Sequence, residues 1–134
     1  MTISSFDDLL RTARAQAQAQ RLLFVFTAAG VPDDATAEQQ ARFQAGHGGT
    51  LTPLMCVDKT PDELDSFEAL LLQSREFGQT WHIVFVAALS GSGAVGPTSA
   101  QAEAPLQRMV EAIKAGSIGN FIPFDIHGQP VVFG

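Results

Sequence analysis

A chain of 134 residues has the usual size of one domain and can bury roughly 65–70% of its unfolded surface around a single core, so residues 1–134 read as one α/β domain. With 46% hydrophobic and 16% charged residues it has the make-up of a globular protein rather than a disordered chain. Its formal charge of -6, from 14 acids against 8 bases scattered along the chain, repels phosphate backbones and anionic lipid, so neither nucleic acid nor a membrane is an expected partner.

The first element is a helix in "SSFDDLLRTARAQAQAQ", with Ser5 as N-cap, Asp7 and Asp8 in the first turn, apolar Phe6, Leu9, Leu10 and Ala13, and an end near Gln20. "RLLFVFTAA" is too short for a buried helix and rich in Phe and Val, and it reads as a strand covered on both faces. A second helix is predicted in "PDDATAEQQARFQAGHGG", from a Thr36/Gln39 capping box, a Glu38/Arg42 pair and Gly46 as stop. "TLTPLMCVDK" is the second strand, with Pro53 tolerable near its start or on an edge. "TPDELDSFEALLLQSREFG" predicts one helix with Thr60 as N-cap, Pro61 at N1, Glu63 at N3 and a stripe of Leu64, Phe67, Leu70 and Leu71, closed by Gly78. "WHIVFVAAL" is the third strand. A fourth helix carries Leu106, Met109, Val110 and Ile113 on one face up to Gly116, with Pro105 near its first turn. The tail "NFIPFDIHGQPVVFG" reads as a hairpin about "HGQ".

Helices alternating with fully apolar strands imply βαβ units. The expected fold is a three-layer α/β sandwich on a mainly parallel sheet of about five strands, in the order α-β-α-β-α-β-α-β-β with a C-terminal β-hairpin. The longest apolar run, Ile83 to Leu89, is far short of the roughly 20 residues of a membrane span, and "TISSFDDLL" lacks the basic region of a signal peptide. A soluble, cytoplasmic protein is expected.

Three motifs invite chemistry. "ALSGSGAVGP" holds Gly91, Gly93 and Gly96 in G-x-G-x-x-G spacing between a strand and a helix, as a dinucleotide site requires. However, the helix begins only after the third glycine, at Thr98/Ser99. Glu111 lies inside a helix where a ribose-binding acid should end a strand, and the Lys-Ser/Thr of a P-loop is missing. The loop is therefore expected to be a ligand-free connection, with no cofactor. Gly91, directly at a strand end, is expected to need a positive φ, and Gly93→Ala to leave the fold intact.

Cys56, the only cysteine, allows no internal disulfide and no cysteine-based zinc site. His47 and His82 are its obvious bases, but in a parallel sheet both start strands, and Cys56 lies roughly 16 Å further along its own. Between Met55 and Val57 it reads as an inert core residue.

Ligands in open parallel α/β sheets bind at the carboxyl ends of strands. There the sequence places Thr27, Asp58 with Lys59, Ser90 with Gly91, and His127 if the fourth strand is also parallel. These six form the candidate ligand site; the plainer reading is that they are ordinary polar loop residues. Asp58 beside one histidine is too little for a metal. The acids Asp62, Glu63, Asp65 and Glu68 read as compensation of a helix dipole on a solvated face.

The segments "PDDAT", "MCVDKTPDEL", "IVFVAALSG", "MVEAIKAGSIGNF" and "FDIHGQPV" resemble a group of short bacterial proteins that carry the name "ribonucleotide reductase subunit alpha". The resemblance implies membership of that group and no activity. A reductase large subunit works through several cysteines in a far larger barrel, and no position here matches them. With no nucleophile beside a base, no metal set and no phosphate loop, the sequence points to a binding or protein-interaction module, with an unknown protein partner or self-association. The alternative is a small enzyme or ligand sensor using the strand ends, with Asp58 or His127 as acid/base and Lys59 holding an anion.

Overall fold

The computed structural model describes residues 5–30, 36–38, 41, 50–64, 66–76, 78, 80–92 and 95–131. In chain order these form helix α1 (Phe6–Arg14), strand β1 (Gln20–Gly30), strand β2 (Thr50–Lys59), a 3-10 turn (Pro61–Glu63), helix α2 (Phe67–Arg75), strand β3 (Ile83–Ser90), helix α3 (Ser99–Lys114) and strand β4 (Ile122–Phe124). The helix expected over "PDDATAEQQARFQAGHGG" falls mostly outside the described residues.

The sheet corrects the expected fold class. It is a single four-stranded sheet in the order β2-β1-β3-β4, and every neighbouring pair is antiparallel, where a mainly parallel five-stranded sandwich was expected. The apolar strands report burial on both faces, and an antiparallel sheet with helices on its two sides satisfies that as well as a parallel one. β1 lies between β2 and β3, so these two run the same way without touching as neighbours. Beyond β4 the chain turns back and meets it only at the Phe124–Pro130 bridge, so the expected hairpin adds no fifth strand among the described residues.

Period-two alternation along β1 builds two cores. Leu22, Phe24 and Phe26 join Val84, Val86 and Phe124 beneath Phe6, Leu9 and Leu10 of α1 and Phe67 and Leu70 of α2. Leu23 and Val25 join Phe85 beneath Ala102, Leu106, Met109 and Ile113 of α3. The first core is aromatic. Phe6 meets Phe24 at 5.9 Å and stands edge-on to Phe67 and Phe124, each at 5.3 Å, the arrangement ring quadrupoles favour. Gly128, at φ 75°, turns the tail over this core. A Cβ there would lie 2.9 Å from Phe67 Cγ, and the Gly128 carbonyl accepts from the Phe6 amide at 2.9 Å.

Two helix boundaries differ from the sequence reading. α1 stops at Arg14 rather than near Gln20. The Thr60/Glu63 capping box forms as its spacing predicts, but it closes only the 3-10 turn. A second N-cap, Ser66, accepts from the Ala69 amide and starts α2, so one predicted helix is two elements. Pro105 lies inside α3 rather than near its first turn.

Candidate functional site

Because β2 and β3 run the same way, their carboxyl ends share one edge of the sheet with the start of β1. Leu23 pairs with Asp58 and Leu22 with Lys59, and Gln20 pairs with Ser90. The structure thus places Asp58, Lys59, Ser90 and Gly91 at one edge of the sheet, with Asp58 and Lys59 on opposite faces. Thr27 and His127 are at the other edge. β1 runs opposite to its neighbours, so Thr27 pairs with Ile83 at the beginning of β3, roughly 24 Å along β1 from Gln20 at about 3.4 Å per residue. It is buried and donates its hydroxyl proton to the Ile83 carbonyl at 2.9 Å. β4 is antiparallel to β3, and the turn that follows it carries His127 to that same far edge.

The near edge is a clasp made largely by residues the sequence reading did not single out. Arg21 and Asp58 are directed to the α3 side of the sheet, whereas Lys59, paired with Leu22, faces the α2 side and lines a cleft of about 290 Å³ with Gln73 and Glu76. Arg21 Nη1 donates to Asp58 Oδ2 at 2.6 Å, and Ser99 Oγ donates to the same oxygen at 2.6 Å. Arg21 Nε donates to the Pro97 carbonyl, also at 2.6 Å. Side-chain exposure is 14% for Arg21 and 19% for Asp58. One ion pair therefore joins the start of β1, the end of β2 and the start of α3. At the same edge, Gln20 Nε2 donates to Ser90 Oγ at 2.9 Å. Glu63 completes the group: the hydrogen bond from the Thr60 backbone amide holds its carboxyl below the usual range against the opposing effect of partial burial, helped by the Thr60 hydroxyl, Lys59 and Arg21. Asp58 was legible at this strand end, whereas its partner Arg21 was signalled only as an arginine opening an apolar run.

The glycine loop closes on itself. The Ser92 amide donates to the Val95 carbonyl at 2.9 Å and the Val95 amide returns to Ser92 at 3.0 Å; Gly93, between them, lies outside the described residues. Gly91 has no positive φ, which corrects the expectation. Its need is for space, since a Cβ would lie 2.1 Å from the Val95 carbonyl oxygen and 2.7 Å from Gly96 Cα. Gly91→Ala is therefore expected to force the turn open and cost about 1–3 kcal/mol by overpacking, measured by urea unfolding. A cost under about 0.3 kcal/mol would contradict it. At the start of α3 the amides of Thr98 and Gln101 are taken up by a reciprocal capping box.

Cys56 is exposed rather than in the core. β2 is an outer strand of the sheet among the described residues, although the cross-strand partner of Cys56, Val25, is fully buried. His47 and Asp65 lie outside the described residues. Asp62, Glu63 and Glu68 are exposed. No group of three or more His, Cys, Asp or Glu among the described residues could hold a metal ion, and no helix among them is long and apolar enough to cross a membrane.

At the far edge, His127 lines a cleft of about 330 Å³ with Leu71, Arg75, Thr80, Trp81 and Ile126. Asp58 and His127, the two acid/base candidates, are thus at opposite ends of the sheet. No protein-family model, curated protein or solved structure matches this chain.

Proposed function

We propose that this domain acts as a binding or protein-interaction module and performs no reaction of its own. The observation that carries this reading is the Arg21–Asp58–Ser99 clasp. Two short charge-assisted bonds on one carboxylate oxygen, from Arg21 Nη1 and Ser99 Oγ, suit a structural anion that ties three elements together. The enzyme alternative sets Asp58 or His127 as acid/base beside Lys59, and it loses support because Asp58 faces the other side of the sheet from Lys59 and His127 lines a cleft at the far edge. A protein partner or a second copy is supported by β2. Its outer edge has no partner strand among the described residues, although Pro53 and the irregularity at Leu54 blunt pairing in its first half. The acidic net charge favours neither nucleic acid nor anionic membranes, and the single cysteine suits the cytoplasm. The resemblance to the short bacterial proteins adds a proposed kinship and no activity.

The test is incubation of the protein with the small-molecule fraction of a cell extract, followed over time by mass spectrometry. Binding gives at most depletion stoichiometric with protein. Conversion that grows with time and protein, and that disappears in Asp58→Asn, would overturn the reading.

A further inference from the structure

The cleft at the far edge differs in charge from the rest of the chain. Its floor is apolar: Trp81, 5% exposed, lies edge-on to Phe26 at 5.1 Å and Phe67 at 6.4 Å. The indole N–H is spent inward, donating to Ser74 Oγ at 2.8 Å, while the Ser74 hydroxyl donates to the Leu71 carbonyl at 2.7 Å. The ring is thereby fixed and offers the cleft only hydrocarbon. Ile126 is 44% exposed in the wall, and Leu72, 57% exposed, lies three residues before Arg75 on α2. The polar groups of the wall are the Arg75 guanidinium, the His127 imidazole and the Thr80 hydroxyl, and none of these side chains has a partner among the described residues.

Most other cations in the described chain are engaged. Arg11 pairs with Asp8, Arg14 donates to the carbonyls of Pro61 and Leu64, Arg21 holds Asp58, and Lys114 lies 3.6 Å from Glu111. Lys59 shares its cleft with Glu76. The cleft of Arg75 and His127 has no carboxylate in its wall among the described residues. Asp125, the nearest acid in sequence to His127, is turned into its own loop and accepts from the amides of His127 and Gln129 at 2.8 and 3.0 Å. The last-turn position of Arg75 suits the dipole of α2, but it does not account for an imidazole and an apolar floor facing it.

We infer that this cleft binds a small organic monocarboxylate with an apolar body. This rests on the binding reading and names its ligand class. The body lies on Trp81, Leu71 and Ile126, and the carboxylate takes the planar fork of Arg75, with the His127 imidazole and Thr80 hydroxyl as further donors. A volume of about 330 Å³ is at the lower end of the roughly 300–1,000 Å³ of small-ligand pockets. One guanidinium and no helix N-terminus suit a monoanion better than a phosphate.

Trp81 is the chain's only tryptophan, so its fluorescence reports the site. The full chain is titrated with 4-phenylbutyrate, with its uncharged amide and with inorganic phosphate, and calorimetry gives the stoichiometry. A saturable one-to-one change is expected with the carboxylate, with the amide about ten-fold weaker or worse and no response to phosphate. Arg75→Gln should weaken the carboxylate about ten-fold or more with the melting temperature lowered by no more than a few degrees, while Arg108→Gln, on α3, should leave binding unchanged. No saturable change, an equal response to the amide, a phosphate response, or undiminished binding in Arg75→Gln would overturn the inference. Failure here leaves the extract assay unaffected, and turnover in that assay leaves this titration unaffected, so the two readings can fall separately.

Discussion

Phe6→Ala is expected to remove about 3–5 kcal/mol of stability, the cost of deleting a buried aromatic ring and leaving a cavity. Phe6 is fully buried and contacts the rings of Phe24, Phe67 and Phe124, so α1, β1, α2 and β4 all lose contacts together. Its backbone also begins α1 immediately after the Ser5 cap, whose side chain accepts from Asp8, and ties that end to the tail through Gly128. The neighbouring rings are held by several elements and cannot collapse into the gap. Small domains are stable by about 5–15 kcal/mol in total, so the variant should be marginal. Urea unfolding with an unchanged slope measures the loss, and a loss below about 1.5 kcal/mol would mean that Phe6 does not join these elements.

Arg21→Met should cost about 2–3 kcal/mol. Methionine keeps much of the packing of the arginine stem but removes the bonds to Asp58 and to the Pro97 carbonyl. Asp58 is then left with Ser99 alone on its bonded oxygen, largely out of solvent. Removing one partner of a fully buried pair costs about 3–5 kcal/mol, and the figure is lower here because both side chains keep some solvent. The loss should appear first as earlier amide exchange in the opening turn of α3, because the ion pair anchors that helix to the sheet.

Much of this was legible in the sequence, and the failures have physical causes. The apolar content of β1 and β3 reported correctly that both faces of these strands are covered. It carries no information on strand direction, which depends on where the intervening segments cross the sheet. The capping box at Thr60 and Glu63 was readable because its geometry is local. That the helix stops after one turn and restarts at Ser66 was hidden, since a second serine cap looks like a polar position on the same helix. Asp58, Lys59, Ser90 and Gly91 were placed together on an assumption of parallel strands that holds for β2 and β3 alone; the same assumption misplaced Thr27 and His127. Cys56 read as core because a strand's neighbours in sequence do not tell whether it is an edge strand. Arg75 and Trp81 were missed because each looks like an ordinary residue of its element, and only the fold sets them opposite His127.

We propose that the strand-end edge is a structural clasp rather than a reactive site, and a double-mutant cycle in urea unfolding, using Arg21→Met, Asp58→Ala and the two combined, decides it. A clasp should give a coupling of about 1–3 kcal/mol, with the double variant less damaged than the sum of the singles. Additive losses within about 0.5 kcal/mol would rule the clasp out, because Asp58 would then be independent of Arg21 and available for chemistry.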